Sequence, residues 1–123
     1  MSRIAVRKGA AQVLHDLPLV SVERVIEVPA VVVSTPREEV LDTGFVSGNR
    51  DTVLTVEVTV YEKTEDAVDA MLAEVEKRFA DDPSLGGTVQ DLAFVEYDLE
   101  WDEPIFTGTQ SWTSTPIGGF SNG

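Results

Sequence analysis

Residues 53–79 admit few folds. From 53 to 61 the side chains alternate: Leu54, Val56, Val58 and Val60 are apolar, while Thr55, Glu57, Thr59 and Tyr61 stand between them. Period two marks a strand with one buried face. After a short break the period becomes 3.6. Val68, Met71, Leu72, Val75 and Phe79 fall at i, i+3, i+4, i+7 and i+11, one stripe of a helix over 65–79. Thr64 suits its N-cap, Glu65 and Asp66 its first turn, and Lys77 and Arg78 its last. A one-faced strand joined to a one-faced helix must bury the two against a shared core.

The rest of the chain fits around that pair. Residues 3–17 read as a helix, with Ser2 as cap and Val6, Ala10, Val13, Leu14 and Leu17 on one side. Gly9 weakens it by about 1 kcal/mol relative to alanine, and Pro18 ends it. Part of 19–28 is expected to be extended. Pro29 cannot donate to a ladder, so it stands before a strand over Ala30–Thr35. Residues 36–51 hold Pro36, Gly44, Gly48, Asn49 and Arg50 and read as a long polar loop or an open hairpin tip. Asp81-Asp82-Pro83 and Gly86-Gly87 close the second helix. Strands follow over 89–102 and 105–115, with a turn at Asp102-Glu103-Pro104. The expected fold is α+β: a single, mostly antiparallel or mixed sheet with flanking helices, in the order αββαββ. Residues 1–115 form one domain, and 116–123 a flexible tail.

Charge narrows the partners. Acidic residues outnumber basic ones 22 to 9, for a net charge of −13. Such a chain does not attract a nucleic-acid backbone or an anionic membrane. No apolar run of signal-peptide or membrane-spanning length is present, so a soluble product made in the cytoplasm is expected. The charge is also polarised. Residues 79–123 contain eight acidic side chains and no basic one, whereas residues 1–24 carry a small basic excess. Opposite charges at two ends of a chain serve as a solubilising surface or suit head-to-tail or ring assembly.

The densest acidic segment is Val95-Glu96-Tyr97-Asp98-Leu99-Glu100-Trp101-Asp102. On a strand, Val95, Tyr97, Leu99 and Trp101 face the core, and Glu96, Asp98, Glu100 and Asp102 face away, about 6.7 Å apart. Four carboxylates in line are solvated, or meet a basic partner or channel, or hold a cation. Asp98-x-Glu100-x-Asp102 does not open an EF-hand loop, because its sixth position is Glu103 and its twelfth Thr109. Other chemistry is poorly supplied. There is no cysteine, and His15 is the only histidine. Gly44-Phe45-Val46-Ser47-Gly48 is not a nucleophile elbow, and neither Gly86-Gly87 nor Gly118-Gly119 has phosphate-loop context. Trp101 and Trp112 read as core or interface anchors. No catalytic residue, cofactor site or metal site is assigned, and an enzyme is not expected.

The ordered set of elements carries a resemblance. It comprises the short N-terminal helix, the Pro-Ala-Val-Val-Val strand start at 29–33, the polar loop, and Thr-Val-Leu-Thr-Val-Glu-Val-Thr-Val-Tyr at 52–61. The acidic-capped helix to Arg78-Phe79, the Asp-Pro turn and the Tyr-Asp strand at 97–98 complete it. Over roughly 5–115 the chain resembles the tail terminator, or tail completion, proteins of long non-contractile-tailed bacteriophages. The tail at 116–123 and the short turn at 102–104 depart from that pattern.

The resemblance implies a structural virion protein at the head-proximal end of the tail. A hexameric ring of copies caps the tail tube, ends its polymerisation and meets a neck or connector protein. DNA passes through the ring without specific binding, and no cofactor is needed. Glu96, Asp98, Glu100 and Asp102 are then candidates for the lumen or a subunit interface. Arg37, Glu38, Glu39, Arg50 and Asp51 are candidates for an inter-subunit loop. Two alternatives stay open: another neck or head-tail connector subunit, and a small acidic metal- or ligand-binding domain using the 96–102 row.

Overall fold

A computed structural model describes residues 2–20, 28–41, 51–102 and 104–116. The elements are α1 (Ser2–Val13), β1 (Ala30–Leu41), β2 (Asp51–Glu62), α2 (Glu65–Asp81), β3 (Val89–Asp102) and β4 (Ile105–Pro116). The four strands form one antiparallel sheet in the order β1-β2-β4-β3. The α+β class and the element order are as the sequence predicts.

Both helices lie on the same face. Leu54, Val56, Val58 and Val60 of β2 are fully buried beneath Val6 and Ala10 of α1, Leu14 just beyond its end, and Val68, Leu72, Val75 and Phe79 of α2. Thr64 caps α2, its hydroxyl accepting from the Ala67 N–H at 3.1 Å. The sheet contributes Trp112, whose ring meets Phe79 edge-on with centroids 5.2 Å apart. A buried polar link joins the two layers. Gln110 donates through Nε2 to the Leu72 carbonyl at 2.8 Å, and its Oε1 accepts from Trp112 Nε1 at 3.2 Å. Buried polar groups need such partners, so Gln110 fixes where α2 sits along β4. Gly108 sits two residues earlier on the same face. A Cβ there would lie 2.5 Å from Val68 Cγ1 and 2.8 Å from Leu72 Cδ1, so its missing side chain admits the helix.

Several expectations need correction. α1 ends at Val13, not at residue 17, and Ser2 is its first helical residue rather than its cap. Residues 14–17 make tight turns instead, with His15 N–H donating to Gln12 O and Leu17 N–H to Leu14 O. The chain must turn there, because Pro18 and Val20 bond to Val31 along the outer edge of β1. Strand β1 does not stop at Thr35 but continues through Pro36 to Leu41. A bulge between Ser34 and Arg37 absorbs the proline on an edge strand, where an N–H is dispensable. Pro116, assigned to the tail, pairs with Val89 in the sheet. The expected extended stretch at 21–27, the loop tip at 42–50 and the flexible tail at 117–123 lie outside the described residues.

Candidate functional site

The pairing register sorts the side chains of the sheet onto two faces. Opposite the helices stand Val53, Thr55, Glu57, Thr59 and Tyr61 of β2 and Thr107, Thr109, Ser111, Thr113 and Thr115 of β4. Glu96, Asp98 and Glu100 of β3 continue these rows, since they pair with Ser111, Thr109 and Thr107. Arg37 and Glu39 of β1 join at the other side through Thr55 and Val53. Ala30 and Val32 at the β1 end are buried. The threonine and carboxylate rows are half-buried or exposed. β-branched threonines favour the strand and still offer hydroxyls, as between Thr59 and Thr109, whose Oγ1 atoms are 3.3 Å apart. The result is a hydroxyl- and carboxylate-bearing surface, with every apolar core side chain of β2 on its far side.

Two bulges shape this surface. The β3 pairing shifts between Phe94 and Glu96, one row from the β1 bulge. Val95 is the inserted residue. It was expected in the core, but it lines the open face and is 52% exposed. Between the two bulges lies a shallow trough of about 500 Å³ lined by Arg37, Glu39, Glu57, Glu96, Thr55 and Thr113 among others. Three carboxylates against one guanidinium make it acidic.

The predicted site residues divide accordingly. Glu96, Asp98 and Glu100 form one exposed row, as expected. Asp102 ends β3 opposite Ile105, and its side chain lies outside the described residues. The expected inter-subunit loop is corrected in part. Arg37, Glu38 and Glu39 are exposed strand residues, with Glu38 opposite Leu54 and so on the helix side. Asp51 opens β2 opposite Leu41, and Arg50 lies outside the described residues. Tyr97 faces the helix side as predicted, yet it is exposed, because α2 covers β2 and β4 rather than β3. Among the described residues, no three His, Cys, Asp or Glu side chains gather to hold a metal ion. Also among them, no helix is long and apolar enough to cross a membrane.

One ion pair missed in the sequence ties the termini of the two helices. Arg78 donates to both carboxylate oxygens of Asp16, through Nη2 at 2.9 Å and through Nη1. It also donates from Nε to Glu74 at 2.7 Å and from Nη1 to the Val13 carbonyl at 3.4 Å. The Arg78 hydrogen bonds hold the Asp16 carboxyl at about 2, below its ordinary 3.8, and raise the guanidinium's own value. A carboxyl depressed by folding contributes stability that is complete above its unfolded value and lost as pH falls through its folded one. Asp16→Asn is therefore expected to lower Tm modestly near neutral pH, the pair being solvent-exposed. That deficit should shrink as pH falls from 3.8 and vanish below about 2. Thermal melts of both chains across this range check it.

No family model and no curated protein sequence matches this chain. A solved structure does. A chain in the virion of a native gene transfer agent particle superposes with a TM-score of 0.58 at 13% identity, over 93% of this chain and 92% of that one. At that identity the likeness is one of fold.

Proposed function

We propose that this chain is a structural subunit of a phage-like virion. Copies of it form a hexameric ring that caps the tail tube, ends its polymerisation and makes the tail side of the head–tail joint. The observation that carries this reading is the fold likeness to a gene transfer agent virion chain over nearly the whole of both chains. The resemblance to tail terminator proteins supports the position in the tail. Its partners are further copies of itself, the tail tube protein and a neck or connector protein.

The open sheet face supplies the surface such a ring needs. A conduit for duplex DNA works only if phosphates do not stick, since every lysine or arginine contact retains the strand. Glu96, Asp98 and Glu100, with Glu57 and Glu39 beside them, provide carboxylates, and the intervening threonines are neutral. Turned toward the ring axis, this face repels DNA and lets it slide. The chemistry required of it is electrostatic, with no cofactor and no reaction.

Deleting the coding sequence in the particle-producing cell tests the position in the tail. The expected result is tubes of uncontrolled length that carry no heads, measured by negative-stain microscopy. Tubes of normal length that fail to join heads would instead assign the chain to a neck connector.

A further inference from the structure

The helix-covered face has one edge that α2 leaves bare. Phe94 and Tyr97 of β3 are 45% and 56% exposed there. Between them and α2 runs a cleft of about 350 Å³, walled on the helix side by Asp69, Ala73 and Glu76. These three are spaced four and three apart, so they share one face of α2. The small Ala73 between two carboxylates keeps the cleft open. Strand β3 contains no lysine or arginine, so the charged side chains it adds to the cleft's surroundings are all carboxylates.

Helix α1 offers the complement. Val6 and Ala10 are turned inward, and Arg3, Ile4, Arg7 and Lys8 are exposed. The helix has no acidic residue. Ile4 is 42% exposed, an apolar side chain among three cations. α1 packs chiefly on β1, the edge strand opposite β3. One surface of the molecule thus presents a basic helix with an apolar knob, and another an acidic cleft with aromatic walls.

Building on the reading of this chain as a ring subunit, we propose that the cleft between α2 and β3 receives helix α1 of a second copy. Ile4 packs on Phe94 and Tyr97, while Arg7 and Lys8 meet Asp69 and Glu76. This is helix-in-groove recognition, with charge setting the register. The two surfaces differ, so each copy uses both and adds head to tail. Such a heterologous contact closes into a ring when the rotation permits. A copy's own α1 is already seated on β1, so the occupant comes from its neighbour.

Two double variants test the contact, Ile4→Glu with Lys8→Glu on the helix, and Ala73→Arg with Tyr97→Glu in the cleft. All four positions are exposed, so both variants are expected to keep the circular dichroism and Tm of the unmodified chain. In sedimentation velocity at about 50 mM salt, the unmodified chain should form oligomers that dissociate as salt rises to about 0.5 M. Each variant alone should self-associate at least about tenfold more weakly. Their equimolar mixture should give dimers and nothing larger, because each such pair retains one intact contact. Variants that oligomerise like the unmodified chain overturn the proposal, as does a mixture that stays monomeric or an unmodified chain monomeric throughout. The deletion phenotype reads the place in the virion separately, so failure of this contact leaves that reading standing.

Discussion

Gly9→Ala is expected to destabilise the protein by about 1–3 kcal/mol, although alanine is the better helix former. A Cβ at this position would lie 2.1 Å from the carbonyl oxygen of Leu85 and 2.9 Å from Thr88 Oγ1. The obstacle is backbone, and the turn that carries it cannot give way. Asp82 accepts from Ser84 Oγ at 2.6 Å and from the Gly86 N–H at 3.2 Å, bonds that also draw its carboxyl below the ordinary carboxylate value. Ser84 O accepts from the Thr88 and Val89 N–H groups, and Thr88 Oγ1 donates to Leu85 O at 2.8 Å. Leu85 is fully buried and itself left-handed, with φ of 48°. The helix must therefore lift, and lifting it uncovers Val6, Ala10 and Leu14. Chemical denaturation should place the loss in that range, with a fall in Tm on the order of 10 °C. Gly87→Ala is the control. Nothing lies within 4 Å of its added Cβ, so only the φ of 81° is strained, at about 1 kcal/mol.

Gly9 also marks a limit of sequence reading. In one dimension a glycine inside a helix is a weakness, whereas here it is the crossing point of α1 over the 85–88 turn. That contact joins segments far apart in the chain, and no local pattern encodes it. The β2–α2 pair was legible because burial and periodicity agree at Leu54, Val56, Val58 and Val60 and again at Val68, Leu72, Val75 and Phe79. Pro36 misled for the opposite reason. A proline argues against a central strand, and only the strand order reveals that β1 is an edge with a bulge to hold it.

The bulge at Val95 left a signal that the alternating residues concealed. Leu92 and Phe94 occupy even positions on the helix face, and Tyr97 and Leu99 occupy odd ones. A strand changes phase in that way only by inserting a residue, and the adjacent apolar pair Phe94-Val95 marks the place. Glu96, Asp98 and Glu100 keep one face because they lie wholly beyond the insertion. Their relation to Arg37 and Glu39 was not legible, since it depends on β1 continuing past Pro36. The exposure of Tyr97 depends on which strands α2 covers, which Gly108 and Gln110 decide from β4.

Replacing Glu96, Asp98 and Glu100 together by lysine carries the largest expected functional effect. All three side chains are exposed on the open face, so folding should be preserved. Rings and tails of normal length should still assemble. DNA delivery by the particles should fall by about tenfold or more, because each new cation can pair with phosphate and retain the duplex. The amide variants Glu96→Gln, Asp98→Asn and Glu100→Gln remove the repulsion without adding attraction, and should cost much less. Isolated lysine-variant rings should bind duplex DNA with an affinity that falls steeply as salt is raised. Counting filled heads against delivery-competent particles separates this effect from a failure of assembly.

The most direct test of the account is a cryo-electron microscopy reconstruction of the ring on its tail tube. The prediction is that the open sheet face turns toward the axis, with Glu96, Asp98 and Glu100 lining the DNA path. A ring in which all three carboxylates point to the outer rim would contradict it.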